Sequence, residues 1–414
     1  MTDANITPVL LGADLNCYNV ARAFHMQYGV KSYAFGRYAV SATKYSKIIH
    51  FESVPELDTD SVMLDKLHRF ADAHLGEKLI LFGCTDDYVS MIIRNRDELS
   101  DYVIPYPSAD LLTSISKKAE FYETCDKFGI PYPDTVVLCE KTSREALTED
   151  KLGFKYPIIV KPSSSVDYWK HPFDGMKKVY TAASPEEAEK IISEIYDAGY
   201  PEKMILQEFI DGTDCEMRVF TAFSDSRGKV RAMCLGHTML EEHTPKGLGN
   251  HAAIVTEPVS DFPIAERIKN MLESMGYTGF SNFDIKLRAG TKDDFRVFEV
   301  NLRQGRSNFY VTSAGINVAR LAAEVFESEG DDVERCEKSV FWHHIPRSVA
   351  YKFTEDKELV KKAKELDKKG LGYSSVWYPP DFCLNPMRFI CVVEQLRRQN
   401  KKYKIYYPKK SEKV

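Results

Sequence analysis

The sequence predicts a chain of mixed α/β and α+β class, in which a Rossmann-like parallel domain precedes two lobes of mixed sheet. The first hundred residues alternate short apolar runs with helical patterns, as βα units do. Strand-like segments then dominate residues 204–300, with one helical pattern among them. A length of 414 residues gives room for two or three domains, each with its own core.

Three apolar runs are predicted to be buried strands of the first domain: residues 9–12, 32–36 and 79–83. A loop over 13–18 and a helix over 20–28, which Gly29 ends, are expected between the first two strands. Ligands of doubly wound domains lie at the carboxyl ends of the strands, so the loops after the first and third strands are expected to face a substrate. The domain has no G-x-G-x-x-G sequence, and nothing specific supports a dinucleotide site.

Prolines at 105 and 107 predict a connector, and a helix capped by Ser108 is expected to reach about Phe128. The elements predicted after this helix are strands at 135–138 and 158–161, a helix at 185–196, a strand at 204–209, several strands between 215 and 253, a helix at 265–275, and strands at 279–287 and 295–300. Beyond about residue 330 the pattern weakens to a helix over 357–369, followed by irregular chain rich in Pro and Tyr. The predicted domains are residues 1–105, 106–202, 203–330 and 331–414.

Composition and charge exclude several classes of protein. The chain has 56 Lys and Arg against 61 Asp and Glu, and this net charge of -5 argues against a nucleic-acid partner. Its nine cysteines form no C-x-x-C pair, so neither a zinc site nor a disulfide framework is indicated. No charged leader precedes a long apolar run, and no apolar run is long enough to cross a bilayer. A cytoplasmic protein with reduced thiols is therefore expected.

A candidate magnesium site lies on the last two predicted strands. Asp284 is on one strand, and Glu299 and Asn301 alternate along the other, so both of the latter side chains point to one face. Carboxylate and amide oxygens are the hard ligands that Mg²⁺ prefers. A solvated strand face would show the same pattern, so these three residues alone do not decide the function.

Two lysines are candidate phosphate ligands. Lys161 ends an apolar strand, where an ammonium group is costly to bury without an anionic partner. Lys118 lies near the start of a helix, eleven residues before Gly129. Taken singly, a lysine is more often a surface residue whose stem covers apolar neighbours.

Residues 205–214 form a predicted strand that runs into a turn, and they are a candidate nucleotide-binding edge. Their backbone groups can pair with an adenine edge, and Asp214 can accept hydrogen bonds from ribose hydroxyls, although a hairpin without a ligand has the same pattern. Arg303 follows the candidate metal ligands directly. A guanidinium there can stabilise charge on a transferring phosphoryl group, so Arg303 is a candidate catalytic residue.

The order and spacing of these residues resemble the ATP-grasp superfamily of carboxylate-amine ligases. The resemblance covers about residues 106–320, and the first hundred residues look like the pre-ATP-grasp domain of that family. It implies an enzyme that uses ATP and Mg²⁺, with two metal ions. The residues concerned are, in chain order, Lys118, Lys161, Gln207, Glu208, Ile210, Asp214, Asp284, Glu299, Asn301 and Arg303.

The resemblance also implies a role for each of these residues. Lys118 and Lys161 would contact nucleotide phosphates, and Lys161 would share with Arg303 a part in catalysis. Glu208 and Ile210 would meet adenine through their backbones and Gln207 through its side chain, Asp214 would hold the ribose, and Asp284, Glu299 and Asn301 would bind the metal. The loop after Lys161 departs from the family pattern, because three serines stand where glycines are usual, and this leaves the phosphate-covering residues unassigned.

Within the superfamily, residues 161–173 and 299–308 look most like the D-aspartate ligases of Gram-positive bacteria. Those enzymes activate the β-carboxylate of D-aspartate and join it to the lysine side-chain amine of a peptidoglycan precursor, so a nucleotide- or lipid-linked muramyl peptide is the implied acceptor. Related ligases share such segments, and three alternatives stay open: a dipeptide or natural-product ligase, a carboxylase-like enzyme that phosphorylates bicarbonate, and a non-catalytic ATP-binding regulatory protein.

Substrate contacts are harder to place from the sequence. Arg306 is a natural partner for the α-carboxylate of an amino acid, and Asn308 and His251 are further candidate contacts. For His251 a structural role competes with that of a general base. Asp14 and Asp86 lie in the loops that are expected to face the acceptor amine.

The last segment, residues 394–414, holds eight Lys and Arg against two Glu. A solvated tail explains such a run, and so does attraction to an anionic membrane surface or a nucleotide-linked precursor. Peripheral contact with a membrane through this basic segment is therefore a hypothesis. The oligomeric state is not predicted.

Overall fold

The computed structural model describes residues 5–116, 118–245 and 247–407, and the chain forms two compact units. The large unit consists of residues 1–109, 213–283 and 301–414. The small unit consists of residues 110–212 and 284–300. The four domains proposed from the sequence stay a prediction.

The first sheet of the large unit is parallel throughout and has the strand order β3-β2-β1-β4-β5. Its elements are β1 (Ile6–Leu11), α1 (Leu15–Tyr28), β2 (Ser32–Gly36), β3 (Ile49–Ser53), α2 (Asp60–Ala73), β4 (Lys78–Gly83), α3 (Asp86–Arg94) and β5 (Tyr102–Val103). Every residue of β1 is buried, as expected of a central parallel strand covered on both faces. The predicted loop to residue 18 is wrong, because the side chain of Asp14 caps the amide of Cys17 and the helix begins at Leu15.

The small unit contains an antiparallel sheet of order β6-β9-β7-β8. Its elements are α4 (Ala109–Ser116), α5 (Lys118–Phe128), β6 (Thr135–Leu138), α6 (Glu149–Leu152), β7 (Ile158–Pro162), α7 (Ser165–Trp169), β8 (Tyr180–Ala182), α8 (Pro185–Asp197) and β9 (Met204–Glu208). Ser184 caps α8 and Pro185 occupies its first position, where the missing amide proton has no helical partner to lose. The core of the sheet forms where Ile158 and Leu206 meet Ile192 and Ile195 of that helix.

The second sheet of the large unit has the order β14-β13-β10-β11-β12-β16-β17, with β15 paired to β11. Its strands and the helices around them are β10 (Met217–Ser224), β11 (Val230–Glu241), β12 (His251–Glu257), α9 (Ala265–Ser274), β13 (Gly279–Leu287), β14 (Phe295–Asn301), α10 (Phe309–Ser313), α11 (Val318–Arg320), β15 (Glu334–Arg335), β16 (Phe341–His343), α12 (Arg347–Phe353), α13 (Lys357–Lys368), β17 (Gly372–Ser374), α14 (Pro379–Phe382) and α15 (Pro386–Tyr406). Strands β13 and β14 each carry residues of both units. A parallel first sheet with largely antiparallel sheets after it confirms the predicted mixed class.

The prediction of irregular chain after residue 369 is wrong, because α15 is a helix of 21 residues. Pro386 occupies its first turn and the side chain of Asn385 caps the amide of Arg388. The buried side of the helix includes Arg388 and Gln399 beside Val392, so the apolar periodicity that normally reveals a helix is absent. Of the predicted basic segment, residues 394–406 belong to α15, and the part after residue 407 lies outside the described residues.

Buried polar contacts fasten the last elements to the first sheet. Arg388 and Asp381 form an ion pair at 2.7 Å in which both side chains are fully buried. The hydroxyl of Tyr18 donates to the same carboxylate at 2.9 Å, and the backbone amide of Lys47 donates to its other oxygen at 2.7 Å. A cation–π contact places the Arg22 guanidinium 4.5 Å from the centre of the Tyr378 ring in the segment before α14. Residues 374–388 are therefore an integral part of the large unit.

All nine cysteines are free thiols. In the part of the chain that the structure describes, no helix combines the length and the apolar character needed to cross a membrane.

Candidate active site

A group of cations surrounds one carboxylate in the small unit. Lys118, at the start of α5, brings its Nζ to 3.2 Å from Oε2 of Glu299 on β14. The pKa of Glu299 is lowered to about 2. The charge of Lys118 is the main cause, with smaller contributions from Lys178 and Lys161, and burial opposes the shift. Glu299 is therefore ionised at any physiological pH, and the cations near it outnumber its single charge.

Lys161 lies buried at the end of β7, where the sequence predicts it. Its Nζ donates to Oε1 of Gln207 at 2.8 Å and lies 3.3 Å from the hydroxyl of Tyr122. Burial lowers the pKa of Lys161 to about 7, with a contribution from the positive charge of Lys118, whereas Glu299 opposes the shift. An anion placed beside this amine would therefore stabilise its protonated form.

The strand that was predicted to meet adenine is β9, and several of its polar groups have protein partners. The Gln207 side chain bridges two elements, since its Nε2 donates to Oγ1 of Thr135 at 2.7 Å while its Oε1 accepts from Lys161. The carbonyl oxygen of Ile210 accepts a hydrogen bond from Nζ of Lys286 at 2.9 Å. A nucleotide that used the Ile210 carbonyl or the Gln207 amide would share or exchange these bonds.

Glu208 is held through its side chain. Both of its carboxylate oxygens lie 3.0 Å from Nη2 of Arg288, and Oε1 also accepts from the backbone amide of Asp134. Lys286 follows Asp284 at an alternate position of β13, so strand alternation places these two side chains on one face, and Arg288 comes directly after the end of the strand. Neither basic residue was among the predicted site residues, although the alternation along the strand was a signal for Lys286.

The candidate metal ligands occupy the two strands that the sequence predicts. Asp284 lies on β13, Glu299 and Asn301 lie on β14, and these strands are neighbours in the sheet. Among the described residues no group of three or more His, Cys, Asp or Glu could hold a metal, but the predicted set contains an amide and two carboxylates. Hard oxygen donors fit Mg²⁺. The lysines around Glu299 would repel a bare cation, so the donor set fits Mg²⁺ together with a polyphosphate.

The serine-rich segment after Lys161 forms a short helix, α7, in place of an extended glycine loop. Ser164 caps it, because its Oγ accepts from the amide of Asp167 at 3.2 Å and donates to Oδ2 of the same residue at 2.7 Å. The Ser164 hydroxyl is thus already engaged within the helix cap.

In the large unit, Arg303 is held at the carboxyl end of β4. Its guanidinium makes two hydrogen bonds to Asp86, of 2.6 and 2.9 Å, and donates to the backbone oxygen of Gln304 at 3.0 Å. Burial would lower the pKa of Arg303, but the charge of Asp86 raises it above its ordinary value. The pKa of Asp14 lies above its ordinary value because burial raises it by more than the Cys17 amide and the charges of Arg306 and Arg303 lower it.

Arg306 pairs with a carboxylate that sequence analysis missed. Its Nη2 lies 3.1 Å from Oε1 of Glu242, and Nε2 of buried His344 lies 3.2 Å from the same oxygen. Burial raises the pKa of Glu242, but the close contact with His344 and the charge of Arg306 outweigh this effect and hold the pKa at about 2. A Cβ at Gly247 would lie 2.3 Å from Oε2 of Glu242, so the loop at 247 packs directly on this carboxylate. No local sequence signal joins these positions.

Three further candidates have protein contacts in the large unit. Oδ2 of Asp214 accepts from the amide of Glu241 at 2.9 Å and lies 2.8 Å from Nε2 of His243. His251 is buried with its Nδ1 2.9 Å from Oγ1 of Thr238. Asn308 is also buried, and it lies at the start of α10. The contacts of His251 are those of a structural histidine, and its substrate role stays a prediction, as does that of Asn308.

Comparison with known proteins gives one strong relative and a consistent fold. No family model matches the chain. It is 36% identical over 386 residues to the D-aspartate ligase of Enterococcus faecium strain Aus0004, and the match covers 90% of each chain.

Three solved structures share the fold at lower identity. The biotin carboxylase domain of 2-oxoglutarate carboxylase from Hydrogenobacter thermophilus, crystallised with MgADP, has a TM-score of 0.59 and 13% identity, and the match covers 81% of this chain and 73% of that one. The L-amino acid ligase of Bacillus licheniformis has a TM-score of 0.53 and 13% identity, with 78% of this chain and 75% of that one covered. The phosphoribosylamine–glycine ligase of Thermotoga maritima has a TM-score of 0.53 and 18% identity, with 81% of this chain and 79% of that one covered. The resemblance deduced from the lysines, the acidic strand ends and Arg303 is confirmed. This chain belongs to the ATP-grasp carboxylate-amine ligase family, in the group that D-aspartate ligase represents.

Proposed function

We propose that the protein phosphorylates the β-carboxylate of D-aspartate with ATP and joins the resulting acylphosphate to an amine, the lysine side chain of a peptidoglycan precursor. The observation that carries the proposal is the 36% identity with a D-aspartate ligase over 90% of both chains. The acceptor follows from the sequence resemblance described above.

The cation group of the small unit supports the nucleotide half of the proposal. Lys118 and Lys161 provide positive charge next to Glu299, and Lys178 adds to it. An ATP polyphosphate supplies the negative charge that this group lacks, and Mg²⁺ held by Asp284, Glu299 and Asn301 would neutralise the phosphate oxygens during transfer. Gln207 fixes the Lys161 amine by accepting its hydrogen bond, so the lysine is oriented before the nucleotide arrives.

The first chemical step joins a carboxylate oxygen to the γ-phosphorus and releases ADP. Its transition state spreads negative charge over the phosphoryl oxygens, and guanidinium and ammonium groups stabilise that charge. Arg303 is suited to this part because its two hydrogen bonds with Asp86 fix the plane of the guanidinium. Asp86 therefore acts as a positioning residue for Arg303.

In the second step the amine attacks the acyl carbon, a C–N bond forms, phosphate leaves and the nitrogen loses a proton. The amino-acid substrate must present its β-carboxylate while its α-groups are held elsewhere. Arg306 is the candidate partner of the α-carboxylate. Its pairing with Glu242 also places a carboxylate where an α-ammonium group could be recognised.

The test is an ADP-release assay with the purified chain, ATP and Mg²⁺. D- and L-amino acids would be supplied singly, with and without a lysine-containing muramyl peptide nucleotide. We expect sustained ADP release only with D-aspartate and the muramyl peptide together, with one amide formed per ADP.

Two controls make the result specific. Arg303→Ala should lower the activity by roughly 10²- to 10³-fold, and a muramyl peptide whose lysine amine is acetylated should not serve as acceptor. ADP release that needs a pair of free amino acids, or bicarbonate, would contradict the proposed substrates and leave only the family assignment standing.

A further inference from the structure

Helix α15 has an outward side that none of the described residues covers over most of its length. Arg388, Val392, Gln399 and Tyr403 are buried, and they mark the side that packs on the large unit. The opposite side of the helix carries residues at spacings of three and four, which lie along one line on its surface. We refer to this line, together with Leu384 in the preceding loop, as the outer face of α15.

The first half of the outer face is apolar. Met387, Ile390 and Val393 lie on it, with 58% of Ile390 accessible to solvent, and Leu384 is 93% exposed. Single exposed apolar residues are ordinary, but three on one side of a helix, with an exposed leucine in the loop before it, mark a surface that meets an apolar environment. Trp377, also exposed, lies within an aromatic group beside this surface, since its ring packs against Phe382 and Phe389.

Leu384 is held in an unfavourable backbone conformation that keeps it outward. Its φ is 57°, in the left-handed region that leucine rarely adopts. The residues on each side are tied down, because Nζ of Lys47 donates to the Cys383 carbonyl at 2.7 Å and Nδ2 of Asn385 donates to the Tyr45 carbonyl at 2.7 Å. Local strain that the surrounding structure maintains is characteristic of functional segments. Here it presents a leucine to solvent.

The second half of the outer face is cationic. Arg397, Lys401 and Lys404 continue the line of Ile390 and Val393 along the helix, and all three are exposed. Beside them lie exposed Arg398 and Lys402, and the acid of this half, Glu394, pairs with Arg398 at 2.9 Å and with Arg397 at 3.8 Å. The sequence then continues with Lys409, Lys410 and Lys413. This local positive charge contrasts with the net charge of -5 for the whole chain.

We propose that the outer face of α15 docks on an anionic membrane surface. The helix lies in the plane of the interface, the leucine loop and the first half enter the acyl boundary, and the cations of the second half meet lipid phosphates. An amphipathic helix with apolar residues and cations on the side away from the protein is suited to this position. In this orientation the Trp377 ring would lie at the water–lipid boundary, which aromatic side chains prefer.

Charge distinguishes a membrane from a second copy of the chain. If two copies met through this face with parallel helices, their cations would repel each other. With antiparallel helices, the cations of each copy would be buried against the apolar half of the other, which costs desolvation free energy. An anionic bilayer avoids both penalties, because it offers phosphate and hydrocarbon side by side.

The experiment measures cosedimentation of the full chain with vesicles of phosphatidylglycerol and phosphatidylcholine in equal parts, and with vesicles of phosphatidylcholine alone. We expect binding to the anionic vesicles that weakens as salt is raised, and little binding to the neutral ones. Leu384→Ser and Ile390→Ser should each lower the partition constant by about tenfold. Lys401→Ser with Lys404→Ser should lower it by roughly 25-fold, about fivefold for each charge.

Matched controls separate this surface from general effects. Leu75 is 84% exposed in the turn after α2, so Leu75→Ser removes an exposed leucine elsewhere. Lys361→Ser with Lys364→Ser removes two exposed cations from α13, where acidic residues alternate with lysines. Both controls should bind vesicles as the parent does. All variants should keep the melting temperature of the parent, because every replaced side chain points to solvent.

Three outcomes would overturn the proposal. The first is that the parent protein does not bind anionic vesicles, and the second is that the outer-face variants bind as well as their controls. The third is a concentration-dependent dimer that Leu384→Ser abolishes while vesicle binding is absent, which would assign the face to a second copy of the chain.

Discussion

The unusual state of Lys161 leads to a measurable prediction about protons. Its pKa of about 7 means that this amine, in the nucleotide-free protein, gains or loses a proton near neutral pH. The cause is burial together with the charge of Lys118. If a nucleotide phosphate binds next to Lys161, the ammonium form gains a partner and its pKa rises towards the ordinary value of 10.5. Nucleotide binding must then take up a proton from the buffer.

The size of this uptake follows from the pKa. At pH 8 a group with a pKa of about 7 is about one-tenth protonated, and at pH 6 it is about nine-tenths protonated. Full protonation in the complex therefore requires about 0.9 proton per site at pH 8, about 0.5 at pH 7 and about 0.1 at pH 6. Glu299, with a pKa of about 2, is ionised throughout this range and contributes no proton.

Isothermal titration calorimetry with MgADP in buffers of different ionisation enthalpy gives the number of protons directly, since the observed heat changes linearly with the buffer enthalpy. The same titration of Lys161→Met, at saturating nucleotide, should show no uptake that depends on pH. Lys127→Met, which replaces an exposed lysine on α5, is the matched control and should behave as the parent. Equal uptake at pH 6 and pH 8, or uptake retained in Lys161→Met, would refute the reasoning.

The same pKa fixes the sign of a stability change. Between about pH 7 and pH 10.5 the folded protein binds fewer protons on Lys161 than the unfolded chain does. The free energy of unfolding therefore gains a contribution from this group that rises with pH across that window. Below pH 7 the buried ammonium lowers the free energy of unfolding by its full amount.

Three other predictions concern single residues. Arg303→Ala should lower turnover by roughly 10²- to 10³-fold in the ADP-release assay, the scale for one transition-state donor, and near-normal release by a folded variant would remove its catalytic role. Arg388→Met leaves the buried carboxylate of Asp381 without its cation and should lower the free energy of unfolding by about 3–5 kcal/mol in denaturant titrations; a loss below about 1 kcal/mol would contradict this. The Glu242 pKa of about 2, against an ordinary 4.5, gives stability that is present above pH 4.5 and is lost as pH falls towards 2. In Glu242→Gln the free energy of unfolding should therefore fall by roughly 3 kcal/mol less than in the parent as pH drops from 4.5 towards 2, as acid titrations of stability can measure. An unchanged acid profile would show that the carboxylate contributes little.

Much of the candidate nucleotide site could be predicted because it depends on local patterns. A lysine that ends an apolar strand, and acidic residues that alternate along neighbouring strands, show their positions through periodicity alone. Lys161, Asp284 and Glu299 were found in this way, and the structure places them on the predicted strands.

The contacts of these residues could not be predicted, because they join distant parts of the chain. Glu242 meets Arg306 and His344 across 64 and 102 positions, which no local pattern encodes. Helix α15 was missed for a different reason. Arg388 and Gln399 occupy its buried side, and the burial of Arg388 depends on its distant partner Asp381.

The attachment of residues 374–388 to the first sheet has a consequence for biosynthesis. Tyr18 and Arg22 emerge from the ribosome early, but their partners Asp381, Ser375 and Tyr378 are made some 350 residues later. Until then the groups that satisfy the buried Tyr18 hydroxyl and Arg22 guanidinium are missing. The native packing of the first sheet therefore has to wait for the synthesis of residues 375–381, so a ribosome stalled shortly before Ser375 would carry an incompletely packed first sheet that chaperones and proteases can recognise.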